Sequence, residues 1–174
     1  MIVKPTWSGI LMLGVFALGA ASALAQNELR STFFKDADAA KAAADAVDAE
    51  WLAPRTYERG MRKYQDAEQA LERGRNIDYV RSNAAEAANH FTDAAKAAQL
   101  AKTALAQALK SRQDAANAQA PKLSPELWED AQSKFADAIR YLEGGNLKSA
   151  KRGDLVSNEF ADAVCADRRR QTQP

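Results

Sequence analysis

His90 and Glu86 lie one helical turn apart, a placement in which an imidazole and a carboxylate could bind a metal or share a proton. The di-iron pattern of helical bundles needs Glu and His three apart, twice, with further carboxylates from facing helices. Here the spacing is four and occurs once, so His90 reads as a solvated or interfacial histidine. Cys165, the single thiol, could form an intermolecular disulfide in an oxidising compartment. Set among Val164, Ala166 and Asp167, it reads better as a small residue partly buried on a last helix. One Cys with one His cannot build a zinc site. Arg168-Arg169-Arg170 could touch an anionic surface, but cations at that place also complement the negative end of a helix dipole. Tyr57 and Trp128 could form an aromatic recognition patch; at helical spacing they read as core. No Gly-rich phosphate loop, nucleophile elbow or zincin motif occurs. The sequence thus assigns no catalytic, cofactor-binding or metal-ligating residue, and an enzyme is not expected.

Composition narrows the rest. The chain has 174 residues, with 24 Lys+Arg against 23 Asp+Glu, eight Gly, five Pro and one each of Cys and His. Such charge balance gives no electrostatic reason to expect nucleic acid, whose binding rests on neutralising phosphates. Residues 1–25 carry a lone Lys4, an apolar stretch from Ile10 to Ala21 and Ala23-Leu24-Ala25 before Gln26. These are the parts of a cleavable secretory signal, and the stretch is too short for an ordinary membrane span. Cleavage after Ala25 is expected, which places the protein in the periplasm, with secretion as the alternative. No later segment is apolar enough to span a bilayer.

Heptads run through the remainder. Phe33, Ala37, Ala40, Ala44, Val47 and Trp51 follow steps of four and three, one stripe of a helix that should stop near Pro54. Tyr57, Gly60, Tyr64, Ala67 and Leu71 form a second stripe, ended by Gly74, with Asn76 able to cap the next helix. Val80, Ala84, Ala87, Phe91, Ala94, Ala98, Ala101, Leu105 and Ala108 form a third, inside an expected uninterrupted helix from Asp78 to Ala118. That helix would be on the order of 60 Å long, too long for one small core, so it should protrude or be shared between two bundles.

Sharing is favoured because the sequence repeats. Trp128, Ala131, Phe135, Ala138 and Leu142 match the second stripe at an offset of 71, and Ser124-Pro125 matches Ala53-Pro54 likewise. Asn158, Phe160, Asp162 and Ala163 match Asn89, Phe91, Asp93 and Ala94 at 69, so the turn near Gly145-Asn146 is shorter by two. Such periodicity marks one supersecondary unit used twice. The expected fold is all-α: an elongated antiparallel helical bundle of two short three-helix units sharing one long central helix, with coiled-coil-like packing. The expected organisation is a signal over 1–25, helical repeats over 26–98 and 99–167, and a disordered basic tail over 168–174. In the second repeat Ser124 is expected to cap the helix that Pro125 starts. Phe91, Trp128, Phe135 and Phe160 should carry most of the core energy.

The run Ala53-Pro54, Tyr57, Ala67, Ala70-Leu71 and Gly74, followed by an Ala-rich helix, resembles the Ala-rich bacterial envelope domain of unknown function 4398. Ser124-Pro125-Glu126-Leu127, Ala131, Ala138, Leu142, Gly145 and Ala150 resemble it equally, and Gly60, Leu155 and Ser157 depart from its alanines. The resemblance implies an exported protein that stands alone or precedes a peptidoglycan-binding domain, and it brings no catalytic residues.

The expected function is that of an exported, non-enzymatic cell-envelope protein, a structural spacer or protein-interaction module. Its partner would be an envelope protein recognised through a helix face, and a homo-oligomer stays open. The alternative is a periplasmic bundle that carries a small ligand or metal. Trp128, Phe135, Ala138, Leu142, Gly145 and Ala150 also resemble a tetratricopeptide helix pair, but a repeat of about 70 residues is twice that period.

Overall fold

The computed structural model describes the backbone of residues 17–146 and 156–163, with side chains from Glu28 onward. Residues 1–16, Cys165 and Arg168-Arg169-Arg170 lie outside the described residues. The fold is all-α: α1 (Ala17–Asp45), α2 (Ala49–Leu52), α3 (Pro54–Glu72), α4 (Ile77–Ala104), α5 (Ala106–Asn117), α6 (Ala120–Leu123), α7 (Pro125–Glu143) and a helical segment α8 over 156–163. No helix among the described residues is long and apolar enough to cross a membrane.

Helices α1 and α3 both pack on α4, and α7 touches α3 and α4. The third stripe is buried along its whole length, from Val80 to Ala108. Two features differ from the sequence expectation at the first connection. The first helix ends at Asp45 rather than near Pro54, because Asp48 takes a left-handed conformation (φ 57°, ψ 37°) that starts the one-turn α2. This resets the helical phase: Trp51 leaves the first stripe, stays 40 % exposed and stacks on Phe135 instead. In the second half of α1 it is Phe34 that is fully buried, while Phe33 stays half-buried beneath the Arg81 guanidinium, 5.4 Å from its ring centre.

The long helix is also interrupted. Leu105 (φ −111°, ψ 22°) separates α4 from α5, although its N–H still donates to Ala101 O at 2.8 Å and Leu109 N donates to Leu105 O at 2.9 Å. Just before the break the Thr103 hydroxyl donates to Gln99 O at 3.1 Å, a back-bond of the kind that bends helices. Both α3 and α7 close on a glycine in the left-handed region, Gly74 (φ 62°) and Gly145 (φ 73°). There Arg75 N donates to Ala70 O and Asn146 N to Tyr141 O, each at 2.8 Å, which satisfies the last carbonyls of the helix. Asn76 then caps α4, its Oδ1 accepting from Asp78 N at 2.8 Å.

Backbone conformations recur at the offset of 71. Gln119 (φ 60°, ψ 24°) is left-handed like Asp48, and both precede a one-turn helix; Ser124 (φ −143°, ψ 60°) matches Ala53 (φ −149°, ψ 53°). Ser124 does not cap α7 with its side chain, contrary to expectation. A capping serine sits in the β region with its hydroxyl over the first turn, whereas the Ser124 N–H is drawn back to Ala120 O at 2.9 Å.

Close approach of α3 and α4 depends on Gly60. A Cβ there would lie 2.9 Å from Cδ1 and Cε1 of Phe91, closer than carbon atoms pack. Phe91 fills the space between Tyr57 and Tyr64, at centroid distances of 5.3 and 6.3 Å. The two tyrosines in turn set the register of α1: Tyr57 Oη donates to Asp45 Oδ1 at 2.6 Å and Tyr64 Oη to Asp38 Oδ1 at 2.5 Å. The spacing is seven on both helices, so α1 and α3 run antiparallel with one heptad between the two bonds. Arg30 adds to the second bond, donating to Tyr64 Oη at 2.6 Å and to Glu68 at 3.1 Å.

Two predictions arise from this core. Gly60→Ala gains helix propensity of up to ~1 kcal/mol but displaces the Phe91 ring at a cost of about 1–3 kcal/mol. A lower midpoint in urea denaturation is expected, and an unchanged or higher midpoint would mean that the ring has room. Burial, with Asp38 as acceptor, pushes the Tyr64 phenol from 10.0 up to about 12. The unfolded chain therefore releases this proton first, so stability present below pH 10 should fall as pH rises from 10 to about 12. Chemical denaturation across that range should show the decline, and Tyr64→Phe should remove its Tyr64 component.

Candidate functional site

The most distinctive surface feature lies where α2, α5 and α7 meet. Arg112 projects from α5 between two indoles, its guanidinium carbon 4.8 Å from the Trp51 ring centre and 5.4 Å from that of Trp128. Its Nε donates to Gln132 Oε1 at 2.8 Å, which fixes the plane of the fork. Burial lowers the Arg112 pKa from its ordinary value. The aromatic faces replace part of the lost hydration, an attraction of roughly 0.5–2 kcal/mol. Trp51 also stacks on Phe135, with centroids 5.1 Å apart and planes 20° apart. An open cleft of about 250 Å³ runs beside this stack, lined by Glu50, Pro54, Ala136, Ile139 and Arg140 among others. A neighbouring hollow is acidic, with Asp45, Asp48 and Glu50 around Trp51. Lys102 on α4 reaches Asp48 at 2.7 Å.

A second contact closes the same junction. Ala53, before α3, offers no side-chain acceptor to the free amides of the first turn. Glu143, at the end of α7, supplies one from the far side of the sequence. Its carboxylate accepts from Thr56 N and Thr56 Oγ1, each at 3.0 Å, and from Arg55 N at 3.4 Å. An acid at a helix N-terminus satisfies orphan donors and meets the positive end of the dipole.

The residues singled out from sequence fall as follows. Tyr57 is buried and Trp128 half-buried, each above a phenylalanine: Tyr57 on Phe91 at 5.3 Å and Trp128 on Phe160 at 5.4 Å. Tyr64 and Phe135, one heptad on, meet the same two rings at 6.3 and 6.4 Å. A cation covers the first ring in both places, Lys41 over Tyr57 at 5.7 Å and Arg112 over Trp128 at 5.4 Å. Phe91, Phe135 and Phe160 are fully buried, whereas Trp128 keeps one face for Arg112. His90 is half-buried, and Glu86 is engaged elsewhere, in an ion pair with Lys63 at 2.7 Å. That ammonium holds the Glu86 carboxyl below its ordinary value. The structure therefore does not join His90 and Glu86 into a pair.

Sequence reasoning did not single out Arg112, Gln132 or Glu143. Arg112 was traceable, because Lys41 and Arg112 are separated by the same 71 positions as Tyr57 and Trp128. Glu143 had no local signal, since its partners lie more than 80 positions earlier. No family model, no curated protein and no solved structure matches this chain.

A double-mutant cycle tests the sandwich. Arg112→Met and Trp51→Leu, measured singly and together by urea denaturation, should show a coupling of about 1 kcal/mol. Strict additivity would place the guanidinium away from the Trp51 ring.

Proposed function

We propose that this chain is an exported, non-enzymatic helical module of the bacterial cell envelope, acting as a spacer or protein-interaction element. It consists of one helical unit used twice, in the manner of the Ala-rich domain of unknown function 4398. The observation that carries this reading is the doubled aromatic triad: Tyr57, Tyr64 and Phe91 in one place, Trp128, Phe135 and Phe160 in the other, with ring distances equal to within about 0.1 Å. A cation over the first ring of each triad supports it further. A spacer needs its units to hold a fixed relation, and the junction supplies two independent restraints. Trp51 of the first unit stacks on Phe135 of the second, and Glu143 of the second closes α3 of the first. Export rests on Lys4, the stretch from Ile10 to Ala21 and Ala23-Leu24-Ala25.

The carrier alternative draws on the junction cleft. The two hollows there, of about 250 and 370 Å³, are both open to solvent and lie below and just above the lower limit of the roughly 300–1,000 Å³ of small-molecule sites. The fully buried alanines along α4 leave the seam filled as well.

Rigidity is the testable core of the spacer reading. Spin labels at Gln69 and Glu129, on Cys165→Ala protein, should give one narrow distance distribution that broadens when Trp51→Ala and Glu143→Ala are combined. A broad distribution in the parent protein would remove the spacer function.

A further inference from the structure

The junction cleft has two walls of different origin. Trp51 and Pro54 stand on one side, in α2 and at the start of α3, and Ala136 and Ile139 of α7 stand on the other. The lining is therefore mainly apolar, and Trp51 leaves 40 % of its surface to solvent. An open apolar cleft beside a partly exposed tryptophan has the composition of an interface centre, where Trp and Arg carry most of the binding energy inside a polar rim.

The rim carries one charge of each sign, on opposite walls: Glu50 beside Trp51, and Arg140 on α7. Glu50 is exposed and makes no hydrogen bond or ion pair among the described residues. Its neighbours in the adjoining hollow are already compensated, Asp48 by Lys102 at 2.7 Å and Asp45 by Lys41 at 2.8 Å. Arg140 pairs with Asp137 one turn earlier on the same helix, an exposed pair of the kind that holds a side chain weakly. A surface with an apolar centre and opposite charges on its two sides is complementary to itself. After half a turn about an axis along the cleft, the Glu50 wall of a second copy falls opposite the Arg140 wall of the first, and the reverse.

We propose that the cleft is a self-association surface on which two copies pair about a two-fold axis, Glu50 of each meeting Arg140 of the other and Trp51 of each packing against the facing Ala136. Both members of the matching charge pair lie on the chain itself, which favours a second copy over an unrelated protein. The proposal supplies the partner for the interaction-element reading given above, and so rests on it. A contact centred on so small a cleft belongs with weak, transient interfaces, so the pair forms at high protein concentration.

The test uses the full mature chain from Gln26, carrying Cys165→Ala to exclude disulfide exchange. Sedimentation velocity over a concentration series should show a reversible monomer–dimer equilibrium. Glu50→Arg and Arg140→Glu, both at exposed positions, should each weaken it roughly tenfold or more, and the two combined in one chain should restore it. Arg59→Glu, outside the cleft, should leave it unchanged. A mixture of Glu50→Cys and Arg140→Cys proteins should form a disulfide-linked pair on mild oxidation, faster than either protein alone. A monomer at all concentrations would give the cleft to a different protein and overturn the proposal. So would association that neither reversal weakens, that the combined reversal does not restore, or a mixture that cross-links no faster than its parts. Spin-label distances read on labelled protein diluted into unlabelled protein report on one copy alone, so a rigid monomer would remove this proposal and leave the spacer reading standing.

Discussion

Phe91 seated on Gly60 is the contact from which the rest of the fold takes its register. The seam of α4 is built mainly of alanine, which lets helices come close but buries little apolar area per residue. A large ring must therefore supply the cohesion, and it fits only because α3 has no Cβ at position 60. With the ring fixed, Tyr57 and Tyr64 lie on either side of it, and their hydroxyls emerge toward Asp45 and Asp38. A dispersion contact between α3 and α4 is thereby converted into a hydrogen-bonded register between α3 and α1. Since a phenol bonded to a carboxylate in a partly buried place cannot slip by one residue without losing its acceptor, the heptad is pinned at both tyrosines.

The second half of the chain uses the same ring geometry with different chemistry. Trp128 and Phe135 replace the tyrosines and carry no hydroxyl to reach a carboxylate. Arg112 takes over the orienting role, held flat by Gln132 and faced by indole. The exchange has a structural consequence. The same guanidinium lies over the ring of Trp51 from the first half. One guanidinium thus lies against rings from both halves of the chain.

The junction is also asymmetric. A carboxylate from the end of one helix closes the beginning of another, a contact whose two surfaces cannot substitute for one another.

Much of this was legible from residue order. Helical period, the buried stripe from Val80 to Ala108, the Pro starts and the glycine ends all follow from local rules: side-chain spacing of 3.6, the missing proline N–H, and the ease of positive φ without a Cβ. Phe91, Phe135 and Phe160 were recognisable as core because large rings at seam positions have nowhere else to go. What sequence could not decide was phase and partnership. Asp48 adopts a left-handed conformation that Asp tolerates but does not dictate, and it turns Trp51 from the first seam to the Phe135 face. Leu105 interrupts a helix whose propensity gives no reason to stop. Glu143 meets Thr56 only because α4 and α5 carry the chain away and α7 brings it back. Local sequence sets which backbone shapes are cheap, but contacts between distant residues exist only once packing has chosen among them, and the candidate site is made of such contacts.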